Sequence, residues 1–183
     1  MSRSRGFSLI ELMTVLAVAV VVLAVGAPNL IELTRAQQLR IAAADLFDAI
    51  ALARAQAMAR NERVDIVPGG PDGADWSRGW TVFVDRDGNR LPGTGDDIIA
   101  VHGPLAPGIA AAFAFNSPAV PYYIAYNGAG RSCSDTNSAA PRMGTLSLFD
   151  GALVRRIKIN MLGRARVCDP ARDSSCDGPD VPP

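Results

Sequence analysis

Five cations crowd into residues 151–167, GALVRRIKINMLGRARV, with no acidic residue among them: Arg155, Arg156, Lys158, Arg164 and Arg166. Side chains of this type at this density hold oxyanions, and a guanidinium matches a phosphate with two parallel hydrogen bonds. Ile157, Ile159 and Met161 alternate with Arg156, Lys158 and Asn160, so a strand would turn the latter three toward solvent. Gly163 offers a bend. Beyond it Arg164 and Arg166 project on one side and Ala165 and Val167 on the other. Two guanidiniums two residues apart on an extended backbone reach adjacent phosphates. Edge strands also carry positive charge simply to block edge-to-edge pairing, so the same residues have a purely structural reading.

Little else in the chain suggests chemistry. The single histidine, His102, argues against a His-based dyad or a multi-histidine metal site. No nucleophile motif or cofactor fingerprint is present, so no catalytic residue, no cofactor and no enzyme is expected. His102, beside Gly103 and Pro104, reads as a turn residue. Asp85, Asp87 and Asn89 imitate the start of a calcium loop, but the glycine and distal glutamate of an EF-hand are out of register. A hairpin turn is the better account, and no metal site is expected. Lys+Arg and Asp+Glu both total 18, so overall charge points to no partner and only local segregation is informative.

The positioning elements fall into two kinds. Phe7 to Val25 is apolar except for Glu11 and spans 19 residues, close to the ~20 that cross a bilayer as a helix. A carboxylate in such a run is costly and is expected to find a partner. Gly26 and Pro28 then predict a kink or local unwinding. Helical spacing resumes through Ala59, with Leu39, Ala43, Leu46, Ile50, Ala53 and Ala57 on one stripe and Arg40, Asp48 and Arg54 off it. After Asn61 short strands follow one another: Val64–Val67, a strand through Trp80, Val82 and Val84, one at Ile98-Ile99, then 112–115, 122–126, 145–149 and 152–161. Strand upon strand without helices predicts an α+β fold, a long amino-terminal helix packed on a mostly antiparallel β-sheet.

The first residues carry a more specific signal. Arg3 and Arg5 precede Gly6, Phe7 and "GFSLIEL". Ala24-Val25-Gly26-Ala27 mimics a secretory cleavage site, but the order of features resembles instead the class III leader of type IV prepilins. That resemblance implies cleavage by a prepilin peptidase between Gly6 and Phe7, methylation of Phe7, and retention of the apolar segment. It also implies that Glu11 pairs with the free amino terminus of a neighbouring subunit. Removal of Arg3 and Arg5 leaves 16 basic against 18 acidic residues, a net of about −2. The two arginines fit cytoplasmic retention of the leader.

The stretch "WSRGWTVFVDRDGNRLPGTGDDIIAVHG" is similar to the FimT/GspH branch of minor pilins and pseudopilins, and "GRAR", Gly163 to Arg166, matches the carboxyl-terminal G-R-x-R motif of FimT-type minor pilins. In those proteins the motif is associated with binding DNA during uptake for natural transformation. By resemblance, Gly163, Arg164 and Arg166 are the DNA-binding positions. Lys158, Arg156 and Arg155 add contacts by charge and proximity. The implied partners are other major and minor pilins, the prepilin peptidase, double-stranded DNA and the inner membrane. The implied location is a single-pass inner-membrane protein with a periplasmic globular part, later in a pilus at the cell surface. A structural minor pilin that primes assembly, or a pseudopilin of a type II secretion system, are the alternatives.

The resulting organisation is a leader at 1–6, a transmembrane and assembly helix at 7–29, an amphipathic half-helix at 30–61, a β-rich head at 62–168 and a flexible acidic tail at 169–183, disordered from 177. Asp169, Asp173, Asp177 and Asp180 would weaken a nucleic-acid field if the tail folds back, or would hold the arginines in salt bridges. Three cysteines, Cys133, Cys168 and Cys176, allow three pairings in an oxidising compartment. Long-range bridges occur among minor pilins, which favours Cys133–Cys168. Cys168–Cys176 is the local alternative.

Overall fold

The computed structural model describes residues 8–117 and 119–182, without the side chains of residues 24–29. The expected processing pair Gly6 and Phe7 lies outside the described residues. The chain divides into two units, Met1–Gln37 and Gln38–Pro183. One helix, α1, runs Leu9–Arg60. It is helical through Gly26 and Pro28, so of the expected kink or local unwinding the unwinding does not occur. A proline removes one hydrogen bond of the ladder, and the flanking turns hold the helix together.

In the first unit α1 begins with a reciprocal cap. The Ser8 hydroxyl accepts from the Glu11 amide at 3.2 Å, and the Glu11 carboxylate accepts from the Ser8 amide at 3.1 Å. Beyond it Val15, Leu16, Val18 and Val20–Leu23 are all exposed. A helix that is apolar all round belongs in contact with lipid or other protein. Among the described residues, however, no helix is long and apolar enough to cross a membrane. The apolar run of the sequence extends past them at Phe7 and in the side chains from Ala24 onward.

The second unit holds the core. Leu39, Ala43, Leu46, Ile50, Ala53 and Ala57 are buried, as their spacing predicts, and Ala42 and Ala49 join them. Small side chains let the strands approach the helix closely. Two four-stranded antiparallel sheets pack here, where a single sheet was expected. One contains β1 (Val64–Pro68), β2 (Trp80–Val84), β3 (Asp97–His102) and β5 (Ile124–Tyr126), in the order β3-β2-β1-β5. The other contains β4 (Ala110–Phe115), β6 (Gly144–Asp150), β7 (Leu153–Ile159) and β8 (Ala165–Cys168), in the order β4-β6-β7-β8. Val82 of the first sheet and Leu146, Leu148 and Ile157 of the second share one core with α1. Trp80, Val82 and Val84 face that core, while Phe83 joins a smaller cluster with Val67, Tyr123, Ala125 and Cys133. His102, expected in a turn, closes β3 with its ring stacked on Trp80 at 4.1 Å.

Beside the smaller cluster lies a network of ions. Arg63 bridges two fully buried carboxylates, Asp65 at 2.9 Å and Asp85 at 2.8 Å. Burial, the larger influence, pushes Asp65 up to about 7 despite the Arg63 charge. Asp135 accepts from Tyr123 at 2.7 Å and pairs with Arg90. Burial alone would raise Asp135, but the bonds from Tyr123 and Arg90 and the Arg90 charge outweigh it and hold the carboxyl down to about 2. Asp85 also accepts from the amides of Gly88 and Arg90, and Asp87 from that of Asn89, which closes the Asp-Gly-Asn turn.

Candidate nucleic-acid interface

The basic segment forms β7, a five-residue turn at 160–164 and β8. Asn160 organises the turn: its side-chain oxygen accepts from the amides of Leu162 and Arg164, both at 3.0 Å. Gly163 adopts φ 74°, and a Cβ there would lie 2.6 Å from the Gly130 carbonyl and 2.8 Å from Tyr126. The Tyr126 hydroxyl donates to the Gly163 carbonyl at 3.1 Å. Only glycine combines this backbone with this closeness, so the glycine of GRAR fixes where the arginine after it starts.

The register of β7 and β8 sets Lys158 opposite Arg166 and Arg156 opposite Cys168. Like charges directly opposite destabilise a sheet, and the chain supplies the counter-charge itself. Cys168 is bonded to Cys176, which turns the residues after β8 back over the outer face of the sheet. Arg166 then pairs with Asp173 at 2.8 Å and donates to the carbonyl and hydroxyl of Ser175, both at 2.9 Å. Lys158 pairs with Asp177 and donates to the Ser175 carbonyl at 3.0 Å. Arg156 donates to the carbonyls of Cys176 and Pro179 and pairs with Asp180 at 2.7 Å. Across the strand, Arg155 pairs with Asp169 at 2.9 Å. Two bonds from Ser175, then the Arg166 guanidinium, hold the Asp173 carboxyl down to about 2. Burial, then the Arg166 charge, lowers Lys158 below its ordinary value.

Arg164 differs. Its side chain is exposed and has no ion pair or hydrogen bond among the described residues. Lys158, Asn160, Arg164 and Arg166 line one concavity of about 380 Å³, floored by Ile159 and Ala165. Three cations around one open hollow, one of them unpaired among the described residues, form an arrangement that can accept an oxyanion.

Three sequence expectations require correction. Arg156 does leave the core face of β7, but it is only 3% exposed because the tail covers it. Residues 177–180, expected to be disordered, lie against the sheet: Thr145 donates to the Asp177 carbonyl at 3.3 Å, and Gly178 sits against Thr145 and Arg156. The disulfide is Cys168–Cys176, while Cys133 is a buried free thiol in the smaller cluster. Burial there pushes the Cys133 thiol up to about 11. Sequence reasoning missed Ser175, Asn160 and Tyr126 as the groups that hold the site. Only Ser175 had a signal, its place among aspartates spaced three or four apart in the tail. Glu11 has a local partner in Ser8.

Comparison with known proteins bears on this geometry. The profile of a family described as Type II transport protein GspH matches residues 42–163, and that of the prokaryotic N-terminal methylation motif matches residues 1–27. Among solved structures, the type IV minor pilin FimU of Pseudomonas aeruginosa is 17% identical, with a TM-score of 0.54 over 74% of this chain and 91% of that one. The minor pseudopilin EpsH from the type 2 secretion system of Vibrio cholerae is 16% identical, with a TM-score of 0.51 over 73% of this chain and 98% of that one. At these identities both likenesses concern the fold. No match was found among curated proteins.

Proposed function

The chain belongs to the GspH family of pilin-like filament subunits, which are structural proteins and not enzymes, and on that premise we propose that it is a minor pilin of a type IV pilus that grips double-stranded DNA for uptake in natural transformation. The observation that carries this reading is the hollow shared by Lys158, Arg164 and Arg166. Phosphate contacts of this kind confer affinity and salt dependence without sequence preference. The amino terminus serves assembly: the prepilin peptidase removes residues 1–6, Phe7 becomes the methylated terminus, and α1 anchors the subunit in the inner membrane until it enters the filament. Glu11 then exchanges its Ser8 contact for the amine of a neighbouring subunit.

The pairing of Arg155, Arg156, Lys158 and Arg166 with tail carboxylates favours a second reading. In it the basic strand is internally neutralised and the subunit serves only to prime a pilus or a type II secretion pseudopilus. A gel shift with the full-length chain in detergent and duplex DNA at low salt separates the two. Retardation by wild type that is lost in Arg164→Ala/Arg166→Ala supports DNA capture. Equal behaviour of the two proteins sinks it.

A further inference from the structure

The tail lies where DNA would lie. Asp173, Asp177 and Asp180 meet Arg166, Lys158 and Arg156 in turn, so three carboxylates track along β7 and β8. Backbone carbonyls of Ser175, Cys176 and Pro179 occupy further donor positions on the same three cations. The tail thus presents a row of anionic and carbonyl oxygens to a row of cations, which is how a nucleic-acid backbone would meet them. We propose that residues 169–182 form an acidic strap that acts as an internal competitor of DNA, leaving Arg164 as the first point of contact and yielding the other cations only to a polyanion.

This inference rests on the DNA-capture reading. Its physical basis is the unequal seating of the partners. The Arg156 side chain is 3% exposed, whereas those of Asp177 and Asp180 are 84% and 90% exposed. The carboxylates therefore lie on the outside, so a competing phosphate can take their places beside the cations without opening the core. Exposed ion pairs are individually weak, so a single phosphate gains little by displacing one carboxylate. A duplex supplies many phosphates on one molecule, and each exchange after the first is intramolecular. Cys168–Cys176 anchors the near end of the strap, which leaves residues 177–182 as the part that peels away. Displacement also suppresses salt dependence, because each freed carboxylate recovers a counterion as the DNA releases one.

The test compares full-length wild type in detergent with Asp173→Asn/Asp177→Asn/Asp180→Asn. Binding to a fluorescent duplex is followed by anisotropy over a range of salt. The triple variant should bind about ten times more tightly or better, given the usual strength of exposed pairs. Its log–log salt slope should steepen by about 0.9 for each cation uncovered, from near −1 toward roughly −4. A second variant lacking residues 177–183 keeps Asp173 and the disulfide and should fall between the two, which guards against a folding defect in the first. If wild type binds DNA and both variants bind with the same affinity and slope, the strap is refuted and DNA capture stands. If none of the three binds at low salt, DNA capture itself fails and the strap falls with it.

Discussion

Two sets of arginine–carboxylate pairs in this protein look alike on paper and differ in what surrounds them. Around Arg63 the carboxylates of Asp65 and Asp85 are fully buried and the guanidinium is the enclosed bridge between them. On β7 and β8 the order is reversed: the cations sit against the sheet, and the carboxylates of Asp177 and Asp180 stand in solvent. Removing one partner of a buried pair strands a charge in low dielectric, whereas an exposed pair merely returns its ions to water. The first set is therefore fixed architecture. The second can be exchanged for another anion, which is the property a binding surface needs.

The largest effect should come from the buried set. Arg63→Ala leaves Asp65 and Asp85 without their cation, and urea unfolding should report a loss of about 3–5 kcal/mol. Gly163→Ala comes next. A positive φ in a non-glycine residue costs about 1–3 kcal/mol, and the added Cβ would collide with Gly130 and Tyr126. Besides lowering the melting temperature, this change should displace Arg164 and weaken DNA binding more than its stability cost alone would.

Acid sharpens the contrast further. Asp135 titrates near 3.8 when unfolded and at about 2 when folded, so between those values the unfolded chain binds more protons. Its contribution is complete above the unfolded value and is lost as pH falls through about 2. Tyr123→Phe removes one of the bonds that depress Asp135 and should shrink the drop in melting temperature between pH 4 and about 2, the folded value. The smallest effect belongs to the strap. Asp177→Asn, which leaves the buried Arg156 with its Asp180 partner, should change unfolding stability by less than about 1 kcal/mol, and raised salt should erase the difference. A loss as large as that of Arg63→Ala would erase the distinction between the two regions.

Legibility in the sequence follows the same line. Where periodicity reports burial, the reading held: the apolar stripe from Leu39 to Ala57 and the alternation of Trp80, Val82 and Val84 both face the core. The family too was legible, because "GFSLIEL" and the Trp76–Ile99 stretch are local motifs. What failed depended on which distant segments meet. The division into two sheets is a matter of pairing, and no periodicity encodes it. Arg156 obeys strand alternation yet is buried, because a tail 20 or more residues later in sequence covers it. Cys133 sits in the smaller cluster while Cys168 ends β8 under the tail, so the local partner Cys176 wins. The tail itself, polar and proline-rich, lacks any apolar pattern, and its order comes from ion pairs and one disulfide.

The central claim, that DNA first meets the unpaired Arg164 of the hollow and takes the other cations of β7 and β8 only by displacing the strap, is tested most directly by single arginine variants. In the full-length chain, duplex binding at low salt should fall more in Arg164→Ala than in Arg166→Ala, because the Arg166 charge is already paired with Asp173. On the Asp173→Asn/Asp177→Asn/Asp180→Asn background the two losses should become equal. If Arg166→Ala is the more damaging in the wild-type chain, or if Arg164→Ala has no effect, the account is contradicted.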